Sequence, residues 1–256
     1  MERLTHHGRT TAYATRGADV DGPGLLCIHG SGGSHTAWSG QSRLADTAPV
    51  TAVDLSGHGE SDDIDAAAGY ETMSAYVDDV AAVAREVDAE ILVGNSLGGA
   101  IALTVALERD VDLSGLVLTG TGARLAVLDD LLEWLKSDFD RAIDFLHAPD
   151  RLFHDPTDAL VEASTEVMYE TGQAVTRRDF QTSHTFDVRD RLGDISVPAV
   201  AIVGSNDQLT PPWYHEYLAD ELPDCTYEEL PDAAHLAMLE RPSEFNARVR
   251  DFLDAH

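Results

Sequence analysis

The fold is decided by residues 91–100, which have the sequence ILVGNSLGGA. An apolar run leads into Gly94, a serine follows at position 96, and a second apolar run, AIALTVAL, occupies residues 100–107. The first run is typical of a buried strand and the second of a buried helix. Ser96 is therefore predicted to lie on a strand-to-helix turn that lifts its hydroxyl out of the sheet. The glycines on either side allow the strand and helix backbones to pass closely.

Alternating strand and helix patterns occupy most of the remaining chain. Strands are predicted at residues 24–28, 50–55, 115–119, 197–204 and 226–230, the first two of them buried, and helices at residues 38–44, 72–87, 212–222 and 242–253. A weak polar and apolar alternation at residues 9–13, between Gly8 and Gly17, predicts an antiparallel strand pair at the start of the sheet. The whole order predicts an α/β fold with a mostly parallel sheet and helices on both faces.

Residues 124–190 interrupt this alternation. They contain helical patches rich in charged and aromatic residues and no convincing strand pattern. A chain of 256 residues is long enough for one large α/β domain and leaves no room for two full ones. We therefore predict a single domain over residues 1–256, with residues 124–190 as a helical insertion.

The chain is strongly acidic, with 46 Asp and Glu against 17 Lys and Arg and a formal net charge of −29. This charge argues against nucleic acid and anionic membranes as partners. The acidic residues are spread along the sequence, which resembles the proteins of salt-accumulating halophiles. Since salt screens repulsion between carboxylates, folding and activity are predicted to need high salt. An ordinary acidic mesophilic enzyme is the alternative.

The sequence contains no targeting or membrane signal. Its N-terminus has no apolar core of a signal peptide, and no apolar run reaches about 18 residues, so we predict a cytoplasmic protein. Cys27 lies in a predicted strand and Cys225 near another. Two isolated cysteines predict neither a disulfide framework nor a metal site.

A serine nucleophile needs a general base, normally a histidine that a carboxylate orients. The turn around Ser96 predicts the chain order serine, acid, histidine. His235 lies in a short loop after the last predicted strand and is therefore the candidate base. His215 and His256 are predicted to be surface residues. Three histidines of the insertion are left as possible pocket residues: His147, His154 and His184.

The orienting acid is expected at the carboxyl end of a strand, because catalytic groups of parallel sheets gather at that edge. The strand ending at Thr119 has no carboxylate before Asp129, whereas the strand ending at Val203 leads directly to Asp207. We therefore assign the acid to Asp207. The alternative role for this residue is the N-cap of the following helix.

Acyl transfer also needs backbone N–H groups that stabilise the developing oxyanion. Leu97, directly after the nucleophile, supplies one such donor. The glycine-rich loop after the strand at residues 24–28 supplies the second, which we assign to Ser31 with Gly32 as the alternative. The loop matches neither phosphate-binding glycine pattern.

Five motifs in order resemble the α/β-hydrolase superfamily over essentially the whole chain: HGSGG at 29–33, DLSGHGES at 54–61, GNSLGG at 94–99, GSND at 204–207 and AH at 234–235. The resemblance implies an eight-stranded, mostly parallel sheet. It also implies that the insertion is a lid over the active site, and that neither a metal nor a cofactor is needed. In this family the turn around His58 is mainly structural.

The residues and the resemblance together predict a serine hydrolase that cleaves a small carboxylic ester or lactone through an acyl-enzyme on Ser96. Asn95 resembles the residue before the nucleophile in carbon–carbon bond hydrolases of ring-cleavage products, which is one alternative. A non-catalytic small-molecule receptor is another. The substrate, the oligomeric state and the residues of the insertion that line the pocket are left open.

Overall fold

The computed structural model describes residues 1–256 and contains one eight-stranded sheet. Its strands are β1 (Glu2–His6), β2 (Arg9–Arg16), β3 (Gly24–Ile28), β4 (Val50–Val53), β5 (Ala89–Asn95), β6 (Gly115–Thr119), β7 (Ala199–Gly204) and β8 (Cys225–Leu230). They are arranged in the order β1-β2-β4-β3-β5-β6-β7-β8. From β4 to β8 every neighbouring pair is parallel, whereas β2 is antiparallel to β1 and β4. The predicted mostly parallel sheet is therefore confirmed.

The sheet begins with the antiparallel pair that the sequence predicts. Strands β1 and β2 are joined by His7 and Gly8, both of which have a positive φ, 45° and 77°. A tight turn between antiparallel strands requires this left-handed backbone. Glycine adopts it without steric cost.

Eight α-helices accompany the sheet: α1 (Tyr70–Glu86), α2 (Leu97–Glu108), α3 (Asp129–Ser137), α4 (Phe139–Leu146), α5 (Asp158–Thr185), α6 (Pro212–Glu221), α7 (Ala237–Glu240) and α8 (Pro242–Ala255). Two segments, His35–Asp46 and Arg189–Asp194, are 3₁₀ helices. The first of these covers the short helix predicted at residues 38–44. It contains a break at Trp38, whose φ of −106° and ψ of 17° are not helical.

Helices cover both faces because the buried strand residues alternate between them. In β3, Leu26 and Ile28 belong to a core that includes side chains of α1 and α2. Leu25 and Cys27 point the other way and belong to a second core that includes side chains of α8. Each fully buried aliphatic side chain contributes about 1.5–3 kcal/mol. Both layers are therefore required to cover this sheet.

The insertion leaves the sheet after β6 and returns before β7, and it consists of α3, α4 and α5 with their connections. Its two ends are joined by a single bridge between Arg124 and Asp187. The N–H of Val188 also donates to Ala123 at 2.8 Å. The helices share a small core of their own, which includes Leu131, Leu135, Ile143, Leu146, Phe153 and Met168.

No helix is both long enough and apolar enough to cross a bilayer. Cys27 and Cys225 are free thiols in β3 and β8, two strands that are not neighbours in the sheet. Burial raises the pKa of both thiols, so neither is ionised near neutral pH.

Candidate active site

Ser96 occupies the turn between β5 and α2 with a strained backbone. Its φ of 55° and ψ of −117° are unusual for a residue with a side chain. A Cβ at Gly94 would lie 2.4 Å from the carbonyl oxygen of Gly98, and one at Gly98 would lie 2.2 Å from that of Ile28. Only glycine fits at both positions, as the sequence predicts for this turn.

His235 and Asp207 meet at the carboxyl edge of the sheet, in loops that follow β8 and β7. Nδ1 of His235 lies 2.9 Å from Oδ2 of Asp207. Burial would raise the pKa of Asp207, but His235 and the hydrogen bonds from Thr210 outweigh it and hold the pKa below the ordinary value. The carboxylate is therefore ionised and can only accept, so Nδ1 of His235 carries the proton. In the neutral imidazole, Nε2 is then free to act as a base.

Thr210 completes this arrangement and is absent from the sequence predictions. Its hydroxyl donates to Oδ2 of Asp207 at 2.8 Å and lies 3.2 Å from Nδ1 of His235. The other oxygen of Asp207 accepts from the N–H groups of Leu209 and Thr210 at 2.8 and 3.0 Å. Asp207 thus fixes its own loop, whereas α6 begins after Pro211 without a side-chain cap. In the sequence, the only indication of this contact is a threonine three residues after the acid.

The loop of His235 is also held by residues that no motif identifies. The backbone N–H of His235 donates to the carbonyl of Arg151, in the connection after α4, at 3.1 Å. The carboxylate of Glu240 accepts from the N–H groups of Ala234 at 2.7 Å and His154 at 2.8 Å. The insertion and the histidine loop are therefore fastened together.

The two candidate oxyanion donors are Ser31 and Leu97. The N–H of Ser31 has no hydrogen-bond partner. Leu97 is the first residue of α2, where N–H groups have no partner within the helix. The N–H of Gly32, by contrast, donates to Oδ2 of Asp179 at 2.9 Å. Between the two residues proposed for the second donor, this bond favours Ser31.

The candidate nucleophile, base and oxyanion donor face one cavity of about 570 Å³. Ser96, His235 and Ser31 lie on its wall, and most of the remaining lining is apolar. The insertion contributes a large part of that lining, including Leu131, Phe145, Leu160, Val167, Met168 and Phe180. None of the lining residues is Asp, Glu, Lys or Arg. No group of three or more His, Cys, Asp or Glu side chains is arranged to hold a metal ion.

Comparison with known proteins identifies the family of this chain. Residues 25–248 match the model of the alpha/beta hydrolase family. The chain belongs to the alpha/beta hydrolase family. It is 30% identical to the pimeloyl-[acyl-carrier protein] methyl ester esterase of Neisseria meningitidis, over 90% of this chain and 93% of that protein. It is 29% identical to a putative carbamate hydrolase of Variovorax paradoxus, over 91% and 92% of the two chains. The structure of a thermophilic esterase has a TM-score of 0.86 and 28% identity, covering 99% of this chain and 97% of that one. The protein is therefore a hydrolase.

Of the two histidines predicted to be surface residues, one is buried and one is exposed. His215 is fully buried, and its Nε2 accepts from the N–H of Thr121 at 3.1 Å, so its prediction as a surface residue was wrong. It lies on the inner side of α6, where burial lowers its pKa to about 4. His256 is exposed, as predicted.

The three histidines of the insertion do not line the cavity. His147 contacts a residue of the wall, because its Nε2 lies 3.0 Å from the hydroxyl of Ser164, which lines the cavity. His184 accepts from the N–H of Val127 at 3.3 Å. Of the aromatic residues of the insertion, Phe145 and Phe180 line the cavity, and Trp213 and Tyr214 of α6 line it from outside the insertion.

Asn95 also lies on the cavity wall, but its amide is used within the fold. Its Nδ2 donates to the carbonyls of Thr119 at 3.3 Å and His235 at 3.2 Å. The side chain therefore ties β5 to β6 and to the loop of the candidate base.

Proposed function

We propose that this protein is a serine hydrolase that cleaves uncharged carboxylic esters or lactones through an acyl-enzyme on Ser96. The observation that carries the proposal is the buried hydrogen bond between His235 and the ionised Asp207, together with Ser96, which lies on a strained turn and lines the same cavity as His235. A serine hydroxyl is a weak nucleophile unless such a base removes its proton.

In the proposed reaction, Nε2 of His235 takes the proton of Ser96 while Oγ attacks the carbonyl carbon. The N–H groups of Ser31 and Leu97 stabilise the oxyanion that forms, each by on the order of 3 kcal/mol. The carbon–oxygen bond to the alcohol then breaks, and His235 returns the proton to the leaving oxygen. Water attacks the acyl-enzyme with His235 again as base, which releases the acid and restores Ser96.

The lining of the cavity supports an uncharged substrate. With no Asp, Glu, Lys or Arg on the wall, a carboxylate or ammonium group of a ligand would lose its hydration without gaining a counter-charge. Apolar acyl or alcohol groups have no charge whose hydration is lost when they enter the cavity. They bury their surface against side chains such as Leu131, Phe145 and Met168. We further propose that the insertion acts as a lid over this cavity.

The carbon–carbon hydrolase alternative is less well supported. A dienoate substrate carries a carboxylate, for which the cavity wall offers no cation. The resemblance at Asn95 is also weaker support for this alternative, because the Asn95 amide already donates to the carbonyls of Thr119 and His235 within the fold.

A substrate panel tests the proposal. Kinetics are measured in about 2 M KCl, where surface repulsion is screened, with p-nitrophenyl butyrate, an aliphatic lactone, a dienoate ketone, and two esters of matched length. One ester of the pair ends in a methyl group and the other in a carboxylate. We expect turnover of the neutral ester or lactone, a kcat/KM at least about 10-fold lower for the carboxylate-ended partner, and loss of turnover in Ser96→Ala.

Preference for the carboxylate-ended ester would contradict the substrate class. Full activity in Ser96→Ala would contradict the mechanism. Binding of the panel compounds without any turnover by the unmodified protein would favour a receptor.

A further inference from the structure

A fully buried carboxylate of the insertion touches the loop that carries the candidate oxyanion donor. Asp179, in the second half of α5, is 0% exposed. Its Oδ2 accepts from the N–H of Gly32 at 2.9 Å and lies 2.8 Å from Nε2 of His58. Its Oδ1 accepts from the hydroxyl of Tyr76 at 2.6 Å. Both oxygens are therefore occupied, and one of them holds the backbone directly after Ser31.

The approach of α5 to this loop depends on a missing side chain. Gly32 has a φ of 68°, and a Cβ there would lie 3.0 Å from Cγ2 of Thr176, one turn before Asp179. Glycine thus allows both the left-handed backbone and the close packing of α5. The contact is specific to the insertion, since neither Thr176 nor Asp179 belongs to the sheet or its connections.

The charge of Asp179 is neutralised where it lies. His58 is also fully buried, and its Nδ1 lies 3.2 Å from the carbonyl of Ser56, so both ring nitrogens face acceptors. Burial would lower the pKa of His58, but the carboxylate of Asp179 outweighs it and raises the pKa. For Asp179, His58 and the hydrogen bonds outweigh burial and lower the pKa. Both ring nitrogens of His58 face acceptors and the two pKa shifts run in opposite directions, which favours an imidazolium beside a carboxylate and leaves this pair without net charge.

We propose that Asp179 is a positioning residue for the oxyanion hole: it holds the N–H of Gly32 so that the preceding N–H, of Ser31, stays free and in place. This inference rests on the proposed acyl-transfer function. Because Asp179 belongs to the insertion, stabilisation of the oxyanion then depends on the packing of the insertion against the Ser31 loop. Because only the transition state carries the oxyanion charge, a loss of this positioning lowers kcat and leaves KM nearly unchanged.

Asp179→Asn tests the proposal, because it keeps the size of the side chain and replaces one acceptor by an NH₂ group that cannot accept. We expect kcat to fall about 10- to 100-fold, less than the loss of a complete oxyanion donor, with KM within about twofold. The affinity for an aliphatic trifluoromethyl ketone, whose adduct with a serine carries an oxyanion, is expected to fall by the same factor as kcat.

Tyr76→Phe is the matched control. It removes one hydrogen bond from the same carboxylate and leaves the bond to Gly32. We expect its kcat and its ketone affinity to stay within about threefold of the unmodified protein. A folded Asp179→Asn protein with unchanged kcat and ketone affinity would overturn the proposal, as would equal losses in both variants.

Asp179→Glu takes the place of the asparagine variant if that protein does not fold, and the same loss is expected because the extra methylene displaces the carboxylate from Gly32. If neither variant folds, the carboxylate is a requirement for folding and the separate positioning role is rejected. Failure of the proposed function is distinguishable, since the unmodified protein would then show neither ester turnover nor fluorophosphonate labelling of Ser96.

Discussion

The backbone of Ser96 is held in a conformation that costs about 1–3 kcal/mol in a residue with a side chain. Hydrogen bonds on both of its peptide groups offset this cost. The N–H of Ser96 donates to Thr119 at 3.0 Å, and its carbonyl accepts from the hydroxyl of Thr121 at 2.8 Å. The result is a serine directly before the N-terminus of α2, where the helix dipole favours negative charge.

Removing the charge of Asp207 tests whether this carboxylate orients the imidazole of His235. Asp207→Asn keeps the shape but can hold His235 in the wrong tautomer, so kcat is expected to fall by about 10⁴ with little change in KM. Asp232→Asn, an exposed carboxylate three residues before His235, is the control and should retain kcat. Steady-state kinetics on a neutral ester provide the measurement. An Asp207→Asn protein that keeps a tenth or more of kcat would show that this carboxylate does not orient the base.

At His215, burial predicts a dependence of stability on pH. The pKa values of His215 and His29 are lowered to about 4, mainly by burial. Between about pH 6.5 and pH 4 the unfolded chain therefore binds more protons than the folded one, so the free energy of unfolding falls as the pH falls through this window. Each histidine contributes a slope of up to about 1.4 kcal/mol per pH unit.

His215→Gln retains an acceptor for the N–H of Thr121 and removes the titration, so we expect the slope to decrease by about one proton. Denaturant unfolding at about pH 7, 6 and 5 in molar KCl measures it, because the salt screens the surface carboxylates. The exposed His256→Gln is the control. An unchanged slope in His215→Gln would mean that this imidazole is not the buried neutral group described here.

The sequence identifies residues whose role is encoded locally. Ser96 has glycines at fixed spacing, Asp207 follows a strand that an apolar run predicts, and His235 follows the last predicted strand. Thr210, Asp179 and Glu240 act through contacts with residues far away in the chain, so no local pattern identifies them. The burial of His215 was missed for a similar reason, since α6 has polar residues on several sides and its inner face is decided by packing.

At the scale of elements, α5 contains a break that shapes the cavity. Gly172 has a φ of 80° and a ψ of 159°, a region that is essentially reserved for glycine. Met168 lies before the break and Phe180 after it, and both line the cavity. The break therefore lets one long helix place two of its segments around the same space.

Gly172→Ala is expected to lower the free energy of unfolding by about 1–3 kcal/mol, and to raise KM because a straightened α5 displaces lining residues. There is open space around Gly172, so the cause would be the backbone and not a clash. Gly193→Ala is the control, because Gly193 also has open space and lacks a positive φ. Equal stability of the two variants would contradict the strain at Gly172.

Elements were predicted best where the apolar pattern is strong. The strands at residues 24–28 and 115–119 have the predicted bounds, because continuous apolar runs identify strands that are buried on both faces. The order of the strands in the sheet, and the placement of α3 to α5 along the cavity wall, depend on contacts between distant segments. Periodicity does not encode these contacts.

At the scale of the whole molecule, the net charge of −29 dominates. The cations are too few to neutralise it, and many of their ion pairs lie at the surface, such as Arg3 with Glu60 and Arg189 with Asp187. Such exposed pairs contribute little to stability. Repulsion among the remaining carboxylates therefore opposes the compact state in dilute buffer.

We expect the free energy of unfolding and kcat to be markedly higher in about 2 M KCl than in about 50 mM KCl, because the Debye length falls to about 3 Å near 1 M salt. Chemical unfolding with urea, which is uncharged, measures the stability without adding salt. Equal stability and turnover at the two salt concentrations would contradict the halophilic interpretation and favour an ordinary acidic enzyme.

Fluorophosphonate labelling measures whether Ser96 is the nucleophile. We expect one adduct per chain in high salt, located on Ser96 by peptide mass spectrometry, with loss of ester turnover in proportion to labelling and no adduct in Ser96→Ala. The cavity wall also carries Ser164, whose hydroxyl lies 3.0 Å from Nε2 of His147. An adduct on Ser164, or an active protein without an adduct on Ser96, would contradict the assignment of Ser96 as the nucleophile.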